Sequence, residues 1–285
     1  MLTFRLSAFA DEYSPDFDKQ IEGVKKNGIG MIEIRGVNGK NVADLTEEEM
    51  KSVREKLDAS GIKLSSIGSP IGKIKITDPF EPHLEALKNC IRAAKIMGTD
   101  RIRIFSFYIP AGMTRAECRG EVMRRLGVML SLAESEGITL CHENELGIWG
   151  EGPEECLDIY NEFDGRIKLI FDPANFISDG YESYPHAYEL LGDKIFYMHI
   201  KDADAEKLIV PAGQGLGGIP EILADLNEKR DGELILTLEP HLKIFDGFKK
   251  LEDRETKTKI ANTFATNEEA FACAAGALKS IIEKI

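Results

Sequence analysis

No stretch of this 285-residue chain approaches the ~20 consecutive apolar residues of a membrane-spanning helix, so a membrane partner is not expected. The start, MLTFRLSAFADEY, has neither a basic leader with a sustained apolar core nor a small-residue cleavage site, which is the pattern of a cytoplasmic protein. Positive charge is in deficit: 36 Lys and Arg stand against 49 Asp and Glu, a formal net charge of -13. The average field therefore repels polyanions, and nucleic acid is not an expected partner. The five cysteines, Cys90, Cys118, Cys141, Cys156 and Cys273, contain no CxxC pair, and an odd number does not build a disulfide framework. Reduced thiols are expected, and a zinc site made of cysteine is not. No GxGxxG follows the first apolar run and no GKS or GKT occurs, which removes support for a dinucleotide fold or a phosphate loop of that type.

What the chain does have is a repeat of short β-rich runs and longer segments of helical period. The runs LTFRLSAF, GMIEIR, IKLSSIG, RIRIFSF, GITLCHE, IKLIFD, KIFYMHI and ELILTLE are followed by helical patterns over 16–27, 46–60, 80–97, 114–136, 153–163, 183–191, 217–229 and 267–284. Parallel strands need crossovers, and the crossover helices cover the sheet. Eight rounds predict an α/β fold, a single (β/α)8 TIM barrel of eight parallel strands over residues 1–285, with an open doubly wound sheet as the alternative. Thr46 three residues before Glu49 has the spacing of a capping box, and NGIG and SGIK place glycine just past helices. The segment 243–265 fits neither template and reads as a long, charged connection over the rim after the eighth strand.

In such a barrel the reacting groups stand at the C-terminal ends of strands. The fifth strand closes on Glu143, the sixth on Asp172, the seventh carries His199 near its end and the eighth closes on Glu239. Neighbouring strands lie ~4.8 Å apart, so four inward side chains from consecutive ends can converge on one ion. Three carboxylates and an imidazole form a mostly oxygen donor set suited to one divalent metal ion, Mn, Mg, Co or Zn. Such a centre keeps net negative charge, which favours a neutral sugar or polyol substrate over a dianion. Each residue also has an ordinary structural role open to it: Asp172, before Pro173, as a helix cap, His199 as a core histidine, and Glu143 and Glu239 as rim ion-pair partners.

The motifs HENE, FDPAN, MHIKD and LEPH, with IEIRGVNGKNV near the second strand, resemble the sugar phosphate isomerase/epimerase branch of the xylose isomerase-like TIM barrels over nearly the whole chain. The resemblance implies that Glu143, Asp172, His199 and Glu239 are the metal ligands and that Glu143 and Glu239 also flank the substrate as acid and base. It implies a metal-dependent sugar or ketose isomerase or epimerase working by proton transfer through an enediolate. An inosose dehydratase-like enzyme acting on a keto-polyol is an alternative, and a non-catalytic metal- and polyol-binding barrel is a second. The family often has histidine three residues after the strand-six aspartate and another just after the strand-five glutamate, where this chain has Asn175 and Glu145. Endonuclease IV shares the barrel, but its many histidines and its DNA partner do not match five histidines and a charge of -13.

Further candidates for substrate contact are Glu33 and Arg35, which share one face of the second strand, and Lys201, which shares the face of His199. Asn175, Glu145 and Trp149, the one tryptophan, complete that set, Trp149 being equally suited to anchoring its loop. Arg103 and Phe105 are read as filling the barrel, and His142 as facing away from Glu143. VPAGQGLGG, residues 210–218, offers backbone N–H groups to a phosphate but reads better as a flexible rim loop. Self-association to a homo-oligomer is left open.

Overall fold

The computed structural model describes residues 1–245, 259–261 and 263–285. Eight parallel strands form its central sheet: β1 (Leu2–Ala8), β2 (Met31–Ile34), β3 (Lys63–Ile67), β4 (Arg101–Ile104), β5 (Thr139–Glu143), β6 (Lys168–Phe171), β7 (Ile195–Ile200) and β8 (Gly232–Leu238). The ladder runs β2-β3-β4-β5-β6-β7-β8-β1, and β1 lies against β2 across the remaining seam, giving a nearly closed TIM barrel. Helices α1 (Phe17–Lys26), α2 (Glu47–Ser60), α3 (Glu81–Met97), α4 (Arg115–Ser135), α5 (Pro153–Glu162), α6 (Pro173–Asp179), α7 (Ile219–Lys229) and α8 (Asn267–Ile282) alternate with the strands.

The local signals act where their chemistry places them. Thr46 and Glu49 form the expected capping box, and Thr114 with Glu117 and Thr266 with Glu269 form two more. Gly61 ends α2 at φ 73°, a left-handed conformation that a Cβ would oppose. The largest departure from the expected elements follows β6. A helix, α6, begins at Pro173, where the sequence offered a cap at Asp172 but placed its helical pattern farther on, at 183–191. The helical pattern over 183–191 resolves into a kinked run of short turns.

Alternation along the strands decides what faces the barrel axis. Cys141, Ile170 and Tyr197 form an interior cluster of their own, separate from the main core under the helices. Each lies two residues before Glu143, Asp172 or His199, so those three side chains share the inward face one layer higher, at the C-terminal mouth. The segment 243–265 lies largely outside the described residues, so its placement over the rim is not addressed. Its described residues Lys259–Ile260 pair in parallel with the short strand Leu208–Val210, which pairs in turn with Asp202–Ala203.

Candidate metal centre

Glu143, Asp172, His199 and Glu239 meet at the mouth, each buried, and one donor atom from each lies within 4.8 Å of all the others. The strands supply this convergence directly, since β5, β6, β7 and β8 are successive neighbours in the ladder. Asp172 serves two ends at once. Its Oδ1 accepts from the Asn175 backbone N–H at 3.0 Å as the cap of α6, while its Oδ2 faces the cluster. That Oδ2 is buried with no aligned hydrogen-bond donor, although the Lys201 ammonium lies 2.9 Å away. A buried carboxylate oxygen with a lone pair to spare, beside two glutamates and an imidazole, fits a hard or borderline divalent cation.

The imidazole is oriented from both sides. His199 Nδ1 lies 2.9 Å from Glu143 Oε1, and Nε2 lies 3.3 Å from Glu33 Oε2. Burial disfavours a charged ring, but Glu143 and Glu33 outweigh it and raise the His199 pKa to about 10. Glu33 is itself fixed by the hydroxyls of Tyr197 at 3.1 Å and Thr237 at 2.9 Å. This corrects the expectation of a substrate contact at Glu33: the carboxylate lies under the imidazole and fixes the ring, with its remaining reach spent on two buried hydroxyls. Phe9 packs edge-on against the other side of the ring, with centroids 5.1 Å apart.

Each terminal glutamate has an arginine. Arg103 Nη1 donates to Glu143 Oε2 at 3.1 Å, and its other donors reach the carbonyls of Gly68 and Ser69. Arg35 Nη1 donates to Glu239 Oε1 at 2.9 Å and also binds Asp11 and Glu12. Both guanidiniums lie over the Phe9 ring, at 4.4 and 5.0 Å from its centroid. Arg35 is thus placed behind Glu239, its donors committed to three carboxylates. Arg103, read from sequence as barrel filling, was missed as a partner of Glu143. Its alternation with apolar neighbours, shared with Phe105, gave the inward direction but not the partner. Asp11, Glu12 and Phe9 were missed too, because nothing in ADE or SAF marks them before the barrel closes. Lys201 Nζ donates to Glu239 Oε2 at 3.0 Å.

These contacts set the protonation pattern. Burial works against the Glu143 carboxylate, but His199 and Arg103 hold it down to about 2. Burial likewise opposes the Glu239 carboxylate, and Lys201, His241 and Arg35 keep it well below the usual range. For Asp172 burial prevails, aided by Glu239 and Glu143, and its pKa rises to about 7. The Lys201 ammonium is held well above its ordinary value by Asp172 and Glu239 despite burial.

Among the remaining candidates, Asn175 comes to the cluster, donating from Nδ2 to Asn144 O at 2.8 Å and lying 3.4 Å from Glu143 Oε1. Glu145 pairs with Lys73 at 2.7 Å at the edge of the mouth. Trp149 is a correction. Its indole is 3% exposed in the main core, and Nε1 donates to the Arg115 carbonyl at 2.9 Å, so it anchors its loop and offers no face to a substrate. His142 turns away from Glu143 as alternation requires and bonds Ser106 Oγ at 3.0 Å.

The glycine-rich loop is also placed differently. Its N–H groups at Gly213, Gly215 and Gly217 all donate to the buried Asp202 carboxylate, at 2.9, 3.1 and 2.9 Å. A Cβ on Gly215 or Gly217 would stand 2.4 or 2.7 Å from Asp202 Oδ1, which is why only glycine allows the loop to wrap it. The anion these amides receive is the protein's own.

With this geometry in hand, comparison with known proteins is informative. The family model for the xylose isomerase-like TIM barrel matches residues 21–259. The chain belongs to that family. No curated protein matches it. Among solved structures it is similar to the IolI protein with a bound zinc atom (18% identity, TM-score 0.74, 98% of each chain). It is also similar to D-psicose 3-epimerase with D-tagatose from Clostridium cellulolyticum H10 (16%, 0.72, 98% of each). A third is the probable 3-DHS dehydratase AsbF from Bacillus anthracis (15%, 0.72, 96% of this chain and 98% of that one). At these identities the likeness establishes the fold. Among the described residues of this family member, no helix is long and apolar enough to cross a membrane.

Proposed function

We propose that the barrel is a divalent-metal-dependent isomerase or epimerase of a sugar or ketose, with Glu143 and Glu239 as the acid/base pair. The observation that carries this reading is the convergence of Glu143, Asp172, His199 and Glu239 within 4.8 Å at the mouth of the barrel. Glu143, Asp172 and Glu239 would hold the ion through oxygen and His199 through Nδ1. When bound, a divalent ion supplies a fixed positive charge that polarises a carbonyl and its neighbouring hydroxyl and so acidifies the C–H between them.

The protein's own groups do the rest. Glu143 and Glu239 come from strands separated by β6 and β7, so they approach the centre from different sides. One takes the proton and the other returns it, which gives epimerisation on one carbon or isomerisation when the proton goes to the next. Arg103 and Arg35 lock the two carboxylates and keep them ionised before a substrate arrives. Lys201, protonated and aimed at Glu239, has further N–H donors for a substrate hydroxyl. Burial of the whole group excludes water and strengthens each of these contacts.

The test is direct. Purified protein should contain about one equivalent of a divalent metal, which Asp172→Ala and His199→Ala should both remove. Incubated with a panel of neutral ketoses in deuterium oxide, it should place deuterium beside the carbonyl. A metal-loaded protein that exchanges no proton with any ketose would falsify the acid/base assignment, and a product lighter by one water would assign dehydration instead.

A further inference from the structure

Helix α6 presents polar residues to the mouth, and the reaction proposed above leaves one of them without a role. Asn175 reaches Glu143 from the first turn. Asp179 follows it by four residues and therefore rises from the same face, one turn farther out. The Cα–Cβ bond tilts toward the helix N-terminus, which aims the Asp179 carboxyl back over Asn175 toward the cluster.

Both oxygens of Asp179 are buried, and neither has a hydrogen-bond partner among the described residues. Its neighbours in charge are all committed elsewhere. Glu145 pairs with Lys73, Glu151 pairs with Arg115 and accepts from Gly147 N–H at 2.8 Å, and Lys207 donates to the Ser178 carbonyl at 2.8 Å. Burial, followed by the charges of Glu145, Glu151 and Asp172, pushes the Asp179 pKa up to about 8. Leaving a buried carboxyl with no donor is costly, and native structures keep such groups mainly where something else completes them.

We propose that Asp179 is a specificity residue that receives hydroxyl groups of a neutral polyol chain beyond the carbons held between Glu143 and Glu239, and that in its ionised form it rejects substrates whose far end is anionic. The inference rests on the function proposed above. One feature of the mouth acts in the same sense: the loop amides suited to a phosphate are filled by Asp202.

Calorimetric titration of the manganese-loaded and the manganese-free protein at about pH 8.5, where the Asp179 carboxyl is largely ionised, tests this, with D-ribulose, D-xylulose, D-fructose and D-tagatose, each beside its terminal phosphate, and dihydroxyacetone as a ketose too short to reach Asp179. At least one neutral sugar should bind more tightly than its phosphate. Asp179→Ala should weaken that sugar about tenfold, the value of one or two lost hydrogen bonds, and leave dihydroxyacetone unchanged. Asp179→Asn, which keeps size and hydrogen bonding but removes charge, should retain the sugar within a few-fold and narrow the gap to the phosphate. Tighter binding of the phosphates, equal loss for long and short ketoses in Asp179→Ala, or no binding of any neutral sugar overturns the assignment. Metal content and deuterium exchange on the same samples separate the outcomes: their loss in the unaltered protein counts against the reaction, and their retention with failed discrimination counts against Asp179 alone.

Discussion

At the scale of single residues, the centre is a set of acids and bases whose protonation must change when a metal enters. His199 has carboxylates on both ring nitrogens and a pKa of about 10, so below that pH the ring is an imidazolium. Ligation through Nδ1 requires that proton to leave, while Nε2–H stays on Glu33, the arrangement usual for metal-bound histidine. Asp172, raised to about 7, must also be ionised to bind. The sign follows: metal binding releases protons and strengthens as pH rises. Calorimetry in buffers of different ionisation enthalpy should find about two protons released near pH 6, falling toward about one near pH 8 as Asp172 ionises on its own. Proton release independent of pH over this range would show that Asp172 does not give up a proton to the metal. Glu33→Gln keeps a hydrogen-bond acceptor for Nε2–H but removes the charge that makes the ring basic. It should cost about 10- to 100-fold in metal affinity with little change in fold.

At the scale of elements, Asp172 shows why one residue could be read in two ways from sequence. The apolar run KLIFD followed by Pro173 is what a strand delivering a ligand looks like, and it is also what a helix cap looks like. The cap is formed by one oxygen, and the other is left facing the cluster, because the turn from β6 into α6 is tight enough for the same carboxylate to reach both. The two roles can be separated by substitution. Asparagine caps a helix about as well as aspartate, so Asp172→Asn should leave the unfolding midpoint in metal-free buffer nearly unchanged while lowering metal content. Asp172→Ala should lose both, with about 1 kcal/mol of additional destabilisation from the missing cap. Equal metal-free stability of the two variants would show that the cap contributes nothing. Beyond its cap, α6 escaped the sequence reading because its seven residues are too few for a helical period to register, whereas the helices of 10 to 21 residues around it were legible from their periodicity and caps. The partner of the glycine loop, read as a rim loop, was hidden for a related reason. Glycines before a helix announce amides in search of an anion, but the sequence does not say that Asp202, eleven to fifteen residues upstream, is that anion.

At the scale of the whole molecule, the barrel was legible because it is written eight times over, and the four residues that converge at its mouth because they close four successive strands. What could not be read were contacts made across the barrel axis. Arg35 to Glu239 spans 204 residues, and Tyr197 to Glu33 spans 164. Such pairs depend on strand stagger and closure, which a one-dimensional pattern does not encode. The same long reach ties the metal to global stability. The four converging residues stand at the ends of β5 to β8, and of their buried partners Phe9 follows β1, Arg35 follows β2 and Arg103 lies in β4. Glu143, Asp172, Glu239 and Glu33 are packed in one buried centre against Arg35, Arg103, Lys201 and the His199 imidazolium, whose proton would leave as a metal took its place. A divalent ion that binds only the folded barrel therefore stabilises every strand at once. Manganese at about 100 times its dissociation constant should add about 2.7 kcal/mol. For a protein of this length that corresponds to a rise of roughly 5 to 10 °C in the unfolding midpoint. A chelator should reverse the rise, and Glu239→Gln should blunt it while leaving the transition cooperative. A midpoint that ignores manganese at concentrations that fill the site would mean that the ion binds the unfolded chain as well, and that the convergence at the barrel mouth gives it no special place.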